Sequence, residues 1–261
     1  MSHPRIRSKL GALVGLVLAS APVVGCVGRG APSDPYALPG RDPDMTAAAG
    51  ASGLEGPAPD AGSKQSHFPL VDGATWTYRH TSAAEAPWDE VATLSASRYQ
   101  GKDAFVLADE EDAEGARSRS TQVVDGTRVY RAYKEISVAG QVVVTTEYAP
   151  AFLRYDEDWT TRGLTVTLDD DWTETCVVAS TASKCAPGAV KLGTTVHTYT
   201  VIDVAAKVSV PAGDFTAVEV QRENVVAGET KLFWFALGVG KVREENSHTG
   251  ALEELSAYEI P

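Results

Sequence analysis

Residues 208–245, VSVPAGDFTAVEVQRENVVAGETKLFWFALGVGKVREE, constrain the fold more than any other part of the chain. Apolar positions recur in short runs, and each run ends in turn residues, the pattern of antiparallel strands joined by tight connections. Pro211 presets φ for a turn, and Gly213 can supply the positive φ of a three-residue hairpin loop with a bulge. Apolar parity changes between Phe215 and Val218, which predicts a β-bulge there. Residues 231–236, KLFWFA, are apolar at successive positions, as in a strand covered on both faces. Gly238 and Gly240 then permit a tight reversal into residues 241–245. The stretch predicts three or four consecutive strands at the centre of a sheet. It holds no His and no Cys, so it speaks to fold rather than to chemistry.

The same rhythm runs through the rest of the C-terminal part. Residues 74–81 alternate so that Trp76, Tyr78 and His80 share a face. Further short runs follow at 88–97, 103–108, 118–124, 127–133, 141–148, 164–168, 173–178, 194–204 and 252–260. Asp125-Gly126 is a two-residue hairpin signal. Residues 150–153, PAFL, are apolar without alternation and are expected to plug a barrel end. No long window carries the 3.6-residue period of an amphipathic helix. The fold class predicted is mainly β: one antiparallel β domain, a half-barrel, barrel or sandwich, over residues 66–261.

The N-terminal part has a different composition. Arg5, Arg7 and Lys9 precede an apolar run over residues 10–24, too short for a spanning helix and typical of an export signal. The run ends in Val23-Val24-Gly25-Cys26, which resembles the lipobox of bacterial lipoproteins. That resemblance implies cleavage before Cys26 and acylation there, hence a protein anchored to a membrane of the cell envelope. Val27 stands where Asp would direct retention in the inner membrane of enteric bacteria, so in a Gram-negative cell the outer membrane is favoured over the inner. Residues 27–65 are rich in Gly, Ala, Pro, Ser and Asp and bury too little apolar surface to offset their ordering entropy. The expected organisation is a signal helix over 1–25, a lipidated Cys and disordered linker over 26–65, and the β domain over 66–261.

The net charge is −12, and loss of the three signal cations carries it to −15. An acidic surface of this kind argues against nucleic acid and anionic headgroups as partners, and leaves cationic ligands open. Cys176 and Cys185 lie in the exported part and flank a short loop rich in Ser, Thr and Ala, with no further metal ligands at suitable spacing. A disulfide between them is the expectation.

Three segments resemble a group of exported, often lipid-anchored bacterial proteins of unknown function. Residues 68–78, FPLVDGATWTY, look like their opening fPl-x-x-G-x-x-W-x-Y motif. Residues 208–215, VSVPAGDF, are similar to their V-x-V-P-A-G-x-F hairpin, and residues 233–242, FWFALGVGKV, to their YWYAPGVGLV segment. Leu237 and Lys241 depart from that pattern, where Pro and Leu are usual. The resemblance implies a fold and no activity. At fold level alone it is similar to the half-barrels of the LolA/LolB lipoprotein carriers.

Candidate chemistry is sparse. Asp169, Asp170 and Asp171 are the best cation ligands by type, but they lack calcium-loop spacing and read as a solvated hairpin loop. Asp156, Glu157 and Asp158, and the acidic run 109–112, read the same way. The chain carries no G-x-S-x-G elbow, H-E-x-x-H pair or P-loop. His80 and His197 read as hydrogen-bonded sheet residues. Trp76, Tyr78 and Trp234 are the candidates to line an apolar ligand cavity, with Phe233 and Phe235 beside them. The expectation is a non-catalytic, lipid-anchored envelope protein that binds an apolar ligand or an envelope partner, with no cofactor, no metal and no nucleic acid. A structural module with a filled core, and a hydrolase with an unmarked site, are the alternatives.

Overall fold

The computed structural model describes residues 60–261 except 84–85, 112–114 and 179–185. The signal, Cys26, most of the linker, and Cys185 therefore lie outside the described residues. Twelve strands follow in order: β1 (Thr75–Thr81), β2 (Trp88–Tyr99), β3 (Lys102–Asp109), β4 (Ala116–Asp125), β5 (Arg128–Val138), β6 (Gln141–Asp156), β7 (Thr165–Cys176), β8 (Val190–Val210), β9 (Gly213–Asn224), β10 (Glu229–Ala236), β11 (Gly240–Asn246) and β12 (Leu252–Glu259). Each pairs antiparallel with its chain neighbours. β1 pairs with β12 from Thr75↔Glu259 to Thr81↔Leu252, which closes the sheet into a barrel. Closure removes the open edges of a half-barrel or sandwich, and it leaves no sheet centre for residues 208–245 to occupy.

Local chemistry explains most boundaries. Gln100-Gly101 and Ala139-Gly140 all have positive φ, as two-residue hairpin loops require, and they join β2 to β3 and β5 to β6. In the β8–β9 hairpin Val210 pairs with Gly213, so the loop has two residues rather than three. The expected bulge lies on the partner strand. Val201, Asp203 and Ala206 face Val220, Glu219 and Ala217, so the extra residues are in β8. Asp125 pairs with Arg128, which moves the β4–β5 loop to Gly126-Thr127. Residues Phe233, Trp234, Phe235 and Ala236 are all buried, as a strand covered on both faces demands.

Two acidic runs are corrected. Asp169, Asp170 and Asp171 lie within β7, not in a loop, because Asp170 turns inward and is buried. Asp156 and Glu157 are buried, not solvated. Asp156 accepts hydrogen bonds from Thr127 Oγ1 (3.0 Å), Arg128 Nε (2.7 Å) and the Asp158 amide (3.0 Å).

Residues 150–153 run within β6 and do not form a plug. The segment before β1 does. Ser66, Pro69 and Leu70 are buried there. The Ser66 carbonyl accepts the Gly238 amide at 2.9 Å, tying the segment to the β10–β11 turn. Buried Glu157 accepts from Ser66 Oγ, from the His67 amide at 3.0 Å, and pairs with His67 Nδ1 at 2.9 Å. The preceding turn belongs to the same unit, since the Leu70 amide donates to the Gly62 carbonyl at 2.9 Å.

The outer wall carries hydroxyls and charges: Thr165 against Thr200, Thr167 against Thr198, Arg79 against Asp89 and Arg119 against Glu135. A barrel in lipid carries an apolar band at such positions.

Candidate functional site

The lumen holds a cavity of about 330 Å³, lined from every strand except β7 and β8 and floored by Phe68, Pro69 and Leu70. That volume lies within the range of small-molecule sites. Trp76 and Tyr78 line it. Trp76 Nε1 donates to the Val239 carbonyl at 2.7 Å, and the Tyr78 hydroxyl to the Lys241 carbonyl at 3.0 Å. Trp76 is thereby pinned to the turn before β11 and Tyr78 to β11 itself, past the intervening β12. Trp234 is not part of the lining. Strand alternation turns its neighbour Phe233 into the cavity and sends Trp234 to the other face of β10. There it packs beneath the Arg243 guanidinium, 5.0 Å from the ring centroid.

The lining is amphipathic rather than simply apolar. Phe68, Leu70, Trp76, Leu94, Leu107 and Phe233 supply apolar surface. Interleaved with them are the cations Arg131, Lys134, Arg154, Arg222, Lys231 and Lys241, and the carboxylates Glu90, Asp109, Glu244 and Glu253. On one side the charges are matched. Glu244 meets Lys231 at 2.9 Å and Lys241 at 2.8 Å, and Glu253 meets Lys241 at 2.7 Å. Burial alone would lower Lys241, but Glu244 and Glu253 outweigh it and hold the ammonium above its usual range. Burial likewise opposes ionisation of Glu244, yet the two lysines hold its carboxyl well below the usual carboxylate range.

The other side is strained. Burial, with Glu90 nearby, pushes Asp109 up to about 6. Burial and the Arg131 charge push Lys134 down to about 8. Burial, then the charges of Arg131 and Arg222, push Arg154 down to about 9. Asp109, Arg131, Lys134, Arg154 and Arg222 come from β3, β5, β6 and β9, so only barrel closure assembles them.

Both strand histidines hold carboxylates. His80 Nε2 lies 2.8 Å from Glu90 Oε2, with its ring stacked on Trp88 at 4.0 Å. His197 Nδ1 pairs with Asp170 Oδ2, and its ring stands edge-on to Phe152. Burial raises Asp170 above the usual carboxylate range, against the pull of His197. Among the described residues neither histidine is hydrogen-bonded to a hydroxyl or a thiol, so no nucleophile completes either dyad. No group of three His, Cys, Asp or Glu among the described residues is arranged to hold a metal ion. Cys176 is buried at the end of β7.

The luminal cations were missed at the sequence level, although a signal existed. Arg222 continues the phase of Val218 and Val220, and Lys231 that of Phe233 and Phe235. A charge in phase with a buried face marks an inward charge. Comparison with protein-family models, with curated proteins and with solved structures finds no match to this chain.

Proposed function

We propose that this chain is a non-catalytic ligand-binding protein of the bacterial cell envelope, exported, anchored by lipid on Cys26, and holding its ligand in the barrel lumen. The observation that carries this reading is the cavity of about 330 Å³ inside a closed barrel, with Trp76, Leu94, Leu107 and Phe233 offering an apolar wall. The outer wall of hydroxyls and charges supports a barrel that stands in water beside the membrane, spaced from it by the linker. A Cys176–Cys185 bridge would tie the loop after β7, in keeping with an oxidising compartment. The proposed partners are the membrane, through Cys26, and a small ligand with an apolar body, with no role for nucleic acid. The hydrolase alternative is favoured by one observation, the His197–Asp170 pair beside the lumen, and is weakened by the lack of a hydroxyl or thiol on that histidine.

The reading is tested on the Cys26→Ser chain, which is expected to leave the membrane fraction for the soluble one. Retention in the membrane would refute the anchor. The released protein is exposed to a lipid extract and examined by native mass spectrometry. A bound small molecule at one per chain is expected; its absence, with the lumen intact, would favour a structural module.

A further inference from the structure

We propose that the lumen selects an amphipathic anion: an oxyanion head, carboxylate or phosphate, seated on Arg131, Arg154 and Arg222, with the apolar body along Phe68, Trp76 and Leu94. This rests on the lumen being the ligand site, and adds the class of ligand.

Three observations carry it. First, the three arginines have no carboxylate of their own. Among the described residues none of them makes a side-chain hydrogen bond or an ion pair, and the Nε atoms of Arg131 and Arg154 are buried without a partner. Buried guanidinium donors left unsatisfied are costly, and a bidentate oxyanion is the group that satisfies them best. Second, the luminal carboxylates are otherwise engaged. Glu244 and Glu253 are held by Lys231 and Lys241, and Glu90 by His80. Only Asp109 stands without such a partner, and Lys134 is the cation that acts on it most strongly. Third, aromatic rings position the guanidinium groups. Arg131 and Arg222 lie 5.8 and 5.3 Å from the Phe152 centroid, Arg222 also 4.9 Å from Phe233, and Arg154 5.8 Å from Phe68. A ring contact of this kind occupies the guanidinium face and leaves its N–H edge for a ligand.

The cluster therefore offers converging guanidinium donors to an oxyanion, next to an apolar floor that an inorganic ion would leave uncovered. The overall net charge of −12 argues the opposite way, but it is a sum over the whole chain, while the lumen lining has six cations against four carboxylates.

The test uses the Cys26→Ser chain and isothermal titration with decanoate, decyl phosphate, decanol and inorganic phosphate. Decanoate and decyl phosphate should bind at least tenfold more tightly than decanol, and inorganic phosphate far more weakly than decyl phosphate. Arg154→Gln and Arg222→Gln should each weaken decanoate about tenfold and leave decanol unchanged. Arg98→Gln, on the outer surface, should change neither. Equal affinity for decanol and decanoate overturns the anion assignment while leaving the lumen site standing. Inorganic phosphate matching decyl phosphate overturns the apolar half. No binding of any amphiphile overturns the lumen reading itself. If an arginine variant fails to fold, the ligand series on the unsubstituted lumen decides the matter alone.

Discussion

Burial and the charges of Arg131 and Arg222 push Arg154 down to about 9, so without a counter-ion this cation works against folding. The sign follows from linkage. A group whose folded pKa is depressed contributes its stability only above its unfolded value and loses it as pH falls through the folded one, so at neutral pH Arg154 is a net cost. Arg154→Met should therefore stabilise the unliganded protein, by about 1–3 kcal/mol, since an unpaired buried charge gives way to an apolar side chain of similar length. Thermal unfolding checks this; a lower melting temperature for the variant would mean that Arg154 is already satisfied. The same groups fix the pH dependence of binding. An alkyl sulfonate, which stays charged throughout, should bind best below about pH 6 and weaken as pH rises through about 8 and 9, where Lys134 and Arg154 lose their protons. Protonation of Asp109, at about 6, removes the opposing charge and strengthens binding on the acid side. Arg131, Arg222 and Glu90 face the same space. Titration of affinity against pH checks the slope; a flat profile would separate the ligand from these groups. Trp76 and Tyr78 were legible as luminal residues because alternation in β1 is regular. Trp234 was not, since all four residues from Phe233 to Ala236 are buried and hydrophobicity alone does not tell the two faces apart.

At the scale of elements, strands and turns were legible because their chemistry is local. Positive φ at Gly126 and Gly238, and alternation in β1, need no knowledge of distant parts. The errors arose where a tertiary partner decides. Asp170 keeps β7 continuous through an acidic run because His197 on β8 receives it. The plug was sought in residues 150–153, yet it is formed by residues 66–70, because Glu157 gathers Ser66 and His67 from far along the chain. Glu157→Ala should strip three hydrogen bonds at once and cost about 3 kcal/mol or more. The loss should be concentrated in the plug: amide exchange at Gly238, whose donor bonds the Ser66 carbonyl, should accelerate while the β4–β5 hairpin stays protected. Uniform acceleration across the barrel would instead mean that the plug and the wall unfold together.

The whole molecule segregates charge in a way that composition conceals. Acidic residues dominate the total, −12, while cations from β5, β6, β9, β10 and β11 are turned inward. Only a closed cylinder converts positions so far apart in the chain into one lining, so closure is the condition for the site as well as for the fold. The closing contact is β12, which pairs with β1 along seven residues and with β11 at Arg243↔Glu254 and its neighbours. Its Leu255 is fully buried, and its Glu253 holds Lys241 in the lumen. Deleting residues 252–261 would therefore expose two strand edges, remove the counter-charge of a buried ammonium and open the core at once. The truncated chain should aggregate or lose its cooperative thermal transition, and adding a peptide of residues 252–261 in trans should restore both solubility and amphiphile binding by supplying the missing strand. A soluble truncated chain that still binds decanoate with undiminished affinity would show that the lumen does not depend on closure, and that the arginines gather by some other means than the cylinder.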